Sequence, residues 1–136
     1  MDEKSRAEIR AEDARVREQM ADDARRAEAR AAQVLIDQFV VDAKAAGIKP
    51  ERLRAHLFDG GTARTNVTGW YLKRNETVGI GVDGSYYVLT VPGGFKERLT
   101  GVHVEPSLPP LIVSKGGRDG ESGPLTDYLA WRLARG

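Results

Sequence analysis

From Asp2 to Ala46 this chain contains neither glycine nor proline, and alanine, glutamate and arginine dominate the stretch. These residues are strong helix formers, and without a breaker they read as a single long helix. Opposite charges recur at helical spacing, Asp2 with Arg6, Asp13 with Arg17 and Asp22 with Arg26. Each such pair contributes roughly 0.2–0.5 kcal/mol to a helix. About 45 helical residues extend roughly 65 Å, longer than a small domain is wide. The beginning of the helix therefore cannot all pack on the chain's own core.

The distribution of side chains divides the chain in the same place. Residues 1–30 hold seventeen charged side chains, and their only large apolar ones are Met1, Ile9, Val16 and Met20. The expected organisation is a charged helical arm, residues 1–30, followed by a compact α+β domain, residues 31–136. A faint apolar stripe runs along the helix through Ile9, Val16, Met20, Ala27, Val34 and Val41, but Asp23, Arg30 and Asp37 interrupt its heptads. Two readings compete. In one the arm is a solvated helix held by charge pairs. In the other it is a coiled-coil-like contact for a homo-oligomer or a partner helix, with Ile9, Val16, Met20 and Ala27 as the contact residues. Membrane-surface binding is disfavoured, because the arm has no aromatic residue and its nine acids match its eight bases.

Past Val34 the helix becomes apolar enough to dock on a core, through Val34, Leu35, Ile36, Phe39, Val40 and Val41. Gly47 suits a helix C-cap, with Ile48 as the hydrophobic contact beyond it. Pro50 then opens a short second helix to Phe58, with Leu53 and Leu57 one turn apart, ended by Gly60 and Gly61. The remainder reads as an antiparallel sheet of about four to five strands. The runs are 68–74, 77–82, 85–91, a weaker 99–105 and a short 111–114, with a C-terminal helix from residue 123 or 124 to Arg135 capped by Ser122. Asp83-Gly84 marks a hairpin. A two-residue loop there pairs Tyr87 with Ile80 and Leu89 with Val78, and lays Tyr86 over Gly81.

Charge and composition narrow the function. A net charge of +1 gives neither half the basic excess expected of phosphate-dominated nucleic-acid binding. The absence of cysteine removes disulfides, thiolate metal sites and cysteine nucleophiles, and it fits a reducing, cytoplasmic setting. No segment has the length and apolarity of a membrane span, and the charged N-terminus lacks a secretory pattern. No G-x-S-x-G, phosphate-binding loop, dinucleotide fingerprint or zincin motif occurs, so no catalytic residue, cofactor or metal is expected. His103 and Glu105 share one side of a predicted strand but lack a third ligand.

Three functional expectations follow. The first is a non-catalytic protein–protein interaction or assembly module that uses the projecting helix. The second is a DNA-binding regulator built on a helix-turn-helix-like corner at residues 34–58, with Arg52 and Arg54 as candidate nucleic-acid contacts. The third is a small anion site at Arg118, in the glycine-rich loop before the last helix. Gly79 and Gly81, on one face of a strand, leave room for a close approach by a ligand, a partner or the chain's own aromatic residues.

The runs Gly69–Arg74 (G-W-Y-L-K-R), Val82–Leu89 (V-D-G-S-Y-Y-V-L) and Gly116–Ser122 (G-G-R-D-G-E-S) resemble a family of small uncharacterised actinobacterial proteins. That resemblance spans residues 33–135 and leaves the charged arm outside. It implies a bacterial cytoplasmic protein and assigns no activity to any residue.

Overall fold

The computed structural model describes residues 3–114 and 121–136. Its first element is helix α1, Glu3–Ala45, unbroken as the sequence requires. The helix ends in a Schellman motif. Gly47 adopts φ 71°, its N–H donates to the Lys44 carbonyl, and Ile48 N–H donates to Ala43 O at 3.0 Å. Ile48 is buried beyond the cap.

The α+β class holds, but residues 50–58 are not a helix. They form strand β1, Glu51–Leu57, paired antiparallel with β2, Thr62–Tyr71. Leu53 and Leu57 are four residues apart, a spacing that suits one helix face and equally one strand face. Leu53, Ala55 and Leu57 are buried while Arg52 and Arg54 are exposed, which is strand alternation. Pairing with β2 decides between the two periods.

β2 continues into β3, Val78–Gly81, and β3 into β4, Tyr86–Val88. The β3–β4 register differs by one residue from the two-residue loop expected, because Val78 faces Val88 and Ile80 faces Tyr86. The loop is three residues long. Gly81 O accepts the Gly84 N–H, Gly81 N–H donates to Ser85 O, and Gly84 takes φ 88°. This is a type I turn followed by a left-handed glycine, the usual three-residue hairpin. Asp83 fixes it by accepting the Ser85 N–H at 2.9 Å.

The strand order is β4-β3-β2-β1-β5, where β5 is Thr90–Val91. β4 and β5 are successive parts of one run, yet they occupy opposite ends of the sheet. Leu89 lies between them, donating to Thr77 O on one side and accepting from His56 N–H on the other. The sheet therefore curls until its edges meet at Leu89, which leaves no long unpaired edge. β5 pairs with β1 in parallel, so the sheet is mixed rather than purely antiparallel.

Closure divides the apolar residues into two clusters. Leu53, Val67, Tyr71, Tyr87, Leu89 and Val104 form one. On the opposite face Trp70, Leu72, Val78, Ile80 and Tyr86 pack with Ile36, Phe39 and Ala43 of α1 and with Leu125 and Leu129 of α3, Leu125–Arg135. The glycines permit this curvature. A Cβ on Gly69 would overlap the Ile80 carbonyl, and one on Gly79 would lie 2.6 Å from Leu53 Cδ1. Tyr87, not Tyr86, lies beside Gly81, as the shifted register demands. The chain's own side chains thus fill the space over Gly79 and Gly81.

Residues 99–105 do not form a strand. Their start belongs to a short helix α2, Phe95–Thr100, and Ser107 alone bridges to Tyr86. β6, Ile112–Val113, pairs with β7, Gly123–Pro124, and Pro124 rather than Ser122 is the N-cap of α3. The proline, with φ −61°, already has the dihedral that a helix start needs.

Candidate functional site

α1 meets the core through small residues first. Ala29, Ala32, Ile36, Phe39, Val40 and Ala43 are buried, at spacings of three, four and seven that keep them on one side. Docking therefore begins at Ala29, before the apolar face expected from Val34. Val34 and Val41 point the other way and are 70% and 60% exposed.

With Ile9, Val16, Met20 and Ala27, all exposed, Val34 and Val41 trace the heptad row read from the sequence. The residues that interrupt the row, Asp23, Arg30 and Asp37, are exposed as well. At 100° per residue this row lies on the face of α1 opposite the core stripe. Met20 is 66% exposed. A groove of about 320 Å³ runs beside the row where the helix meets the domain, lined by Arg26, Ala29, Arg30, Gln33, Leu108 and Pro109. Leu108 is itself exposed, and Glu28 accepts the Leu111 N–H at 3.3 Å, holding this loop against the helix.

A second concavity lies between the turn after β2 and α3. Lys73 directly follows the apolar run Trp70-Tyr71-Leu72 and is only 1% exposed. Its Nζ donates to Ser114 Oγ at 3.1 Å and to the Glu121 carbonyl at 2.7 Å, and it lies 5.7 Å from the centre of the Tyr128 ring. The adjoining cleft, about 350 Å³, includes Arg74, Asp127 and Trp131 in its walls. Arg74 and Arg135 both place their guanidinium groups within 6 Å of the Trp131 ring, at 5.8 and 5.5 Å, a distance at which cation–π attraction acts. Sequence reading missed this group because the turn after β2 and helix α3 contribute it from distant positions. Its one local signal is a lysine immediately after three apolar residues.

The other sequence candidates are dispersed. Arg52 and Arg54 project from β1 rather than from a recognition helix, so the helix-turn-helix corner is absent. Arg52 donates to Thr65 O and Arg54 to Thr62 Oγ1. Arg118 lies outside the described residues. His103 and Glu105 contact each other at 2.8 Å on an exposed segment. Among the described residues no group of three or more histidines and acids is placed to hold a metal ion. No described helix is long and apolar enough to cross a membrane. Comparison with protein-family models, with curated proteins and with solved structures finds no match to this chain.

Proposed function

We propose that this chain is a non-catalytic assembly module of the cytoplasm, which joins other protein chains through the exposed row of α1. One observation carries the reading. Ile9, Val16, Met20, Val34 and Val41 form an exposed apolar row, interrupted by Asp23, Arg30 and Asp37, on the side of the helix away from the core, extending past the domain. Aligned apolar residues exposed over several turns favour a helical partner more than scattered ones do. The domain serves to hold the helix by its C-terminal third.

The test is the mass of the 136-residue chain in solution. A species heavier than the 14.9 kDa monomer, returned to monomer by the triple change Ile9→Ser, Val16→Ser and Met20→Ser, supports self-assembly. A monomer at all concentrations, unchanged by those substitutions, counts against it.

A second reading has its own support in the Lys73–Trp131 cleft, where buried Lys73, the Arg74 guanidinium and the Tyr128 and Trp131 rings come together beside Asp127. Such a surface suits a small anion, held by residues other than Arg118. A rise in melting temperature with inorganic phosphate, lost in Arg74→Ala, is the expected result for that reading. No shift across millimolar phosphate would remove it.

A further inference from the structure

We infer that the row on α1 is covered by α1 of a second copy running antiparallel, in the register that sets Ile9 against Val34 and Val16 against Ala27. This rests on the assembly reading above and adds the occupant, its direction and its alignment. The argument comes from the charges that interrupt the row.

Along this face the order of residues is Arg6, Ile9, Asp13, Val16, Met20, Asp23, Ala27, Arg30, Val34, Asp37 and Val41. In a parallel, in-register pair each residue meets its own copy. Arg6, Asp13, Asp23, Arg30 and Asp37 would then stack like charge on like at every polar layer, which is destabilising. Reversing one helix changes every one of these layers. With Ile9 facing the partner's Val34, Arg6 faces Asp37 and Asp13 faces Arg30, and two-fold symmetry makes each layer occur twice. Sliding by one heptad either way loses the match, because Asp13 then meets Asp37 or Asp23. Of these three alignments, only this one sets Arg6 against Asp37 and Asp13 against Arg30 while keeping Ile9 against Val34 and Val16 against Ala27.

The groove beside the row fits the same alignment. The partner's Glu12 and Asp13 come to the stretch of α1 where Arg26 and Arg30 line the cavity with Leu108 and Pro109. Two acids thus meet two exposed guanidinium groups of opposite charge. The intrahelical pair Arg25–Asp22 lies off this face and does not compete for it. The middle of the pairing is its weakest part, since Met20 faces Asp23, a carboxylate already accepting from Gln19 Nε2 at 3.0 Å. Each domain then sits at one end of the pair, with the N-terminal part of the partner's helix on the outer face of its own.

The chain has no cysteine, so single-cysteine variants report the alignment directly. Val16→Cys and Ala27→Cys chains, mixed at equal concentration under mild oxidation, are expected to yield the mixed disulfide dimer, with little of either self-linked dimer. Self-linked Val16→Cys dimer as the main product overturns the antiparallel register while leaving self-assembly in place. A 136-residue chain that stays monomeric and cross-links in neither form overturns both. A charge exchange gives an independent measurement. Asp13→Arg and Arg30→Asp are each expected to weaken dimerisation at least about tenfold, and the double variant to restore it. Additive weakening in the double variant overturns the Asp13–Arg30 layer, and tryptophan fluorescence of each variant confirms a folded domain.

Discussion

Phe39 meets Trp70 edge to face, with ring centroids 5.7 Å apart and planes at 89°. This contact joins α1 to the sheet, since Phe39 belongs to the helix and Trp70 to β2. Trp70 is held in turn by its own ring N–H, which donates to the Ile48 carbonyl at 2.8 Å just past the helix cap. One aromatic ring therefore secures both the side and the end of the helix. The arm is positioned by the packing of its last turns.

Phe39→Ala is expected to destabilise the chain by about 3–5 kcal/mol, the usual cost of deleting a buried phenylalanine. Urea unfolding followed by tryptophan fluorescence measures it. A change below about 1 kcal/mol would show that α1 is not held through this contact.

Tyr71 sets an alkaline limit. Its hydroxyl accepts the Arg54 backbone N–H at 2.8 Å, beside the irregularity where β1 and β2 shift register. Burial raises its pKa above the ordinary 10.0, the Arg54 N–H opposes that rise, and the charges of Glu76 and Glu51 add to it. The folded state thus resists ionisation that the unfolded chain accepts at about pH 10. The corresponding stability is fully present below pH 10 and is lost as pH rises from there through the higher folded value. Tyr71→Phe is expected to flatten the fall in stability above pH 10. It also strips Arg54 N–H of its acceptor, at a cost of about 1–3 kcal/mol at pH 7. Melting temperatures of both proteins from pH 7 to 11 check the two effects together.

Arg132 is buried on α3, and its Nε and Nη1 atoms have no hydrogen-bond partner among the described residues. Burial lowers its pKa, the nearby Arg135 charge lowers it further, and only Glu51 acts the other way. Arg132→Met keeps an unbranched stem and a good helix former while removing those orphaned donors. The expected outcome is a stabilisation of about 1–2 kcal/mol, read as a higher urea midpoint. A lower midpoint would mean that attraction to Glu51 outweighs the cost of burial.

Asp23→Leu tests the proposed pairing of the arms at its weakest layer. In the antiparallel register each new leucine buries against the partner's Met20, at about 1.5 kcal/mol or more. Every 1.4 kcal/mol is about tenfold in affinity, so sedimentation equilibrium should show dimer persisting at concentrations at least tenfold lower. An unchanged dissociation constant would place Asp23 outside the contact.

α1, its Gly47-Ile48 cap and α3 were legible from residue order because they depend on neighbours within a few positions. Helix propensity, charge pairs at one-turn spacing and a left-handed glycine all act locally. The apolar row on α1 was legible for the same reason, and so was the existence of a turn at Asp83-Gly84. The register of that turn was not, because a three-residue loop and a two-residue loop share the same Asp-Gly signal.

What tertiary structure alone decided concerns partners distant in sequence. Residues 51–57 satisfy a helical and a strand pattern equally, and hydrogen bonding to β2 selects the strand. That choice removed the helix-turn-helix corner and left Arg52 and Arg54 on a solvent-facing strand. Closure of the sheet rests on Leu89 binding His56 and Thr77 at once, and the Lys73 cleft needs β2 beside α3. The long helix itself was determined by its sequence, but which of its faces was left exposed was decided by the docking of Ala29 through Ala43 on the sheet. Helix formation needs only short-range bonds, whereas the choice of buried face needs a surface for the helix to meet.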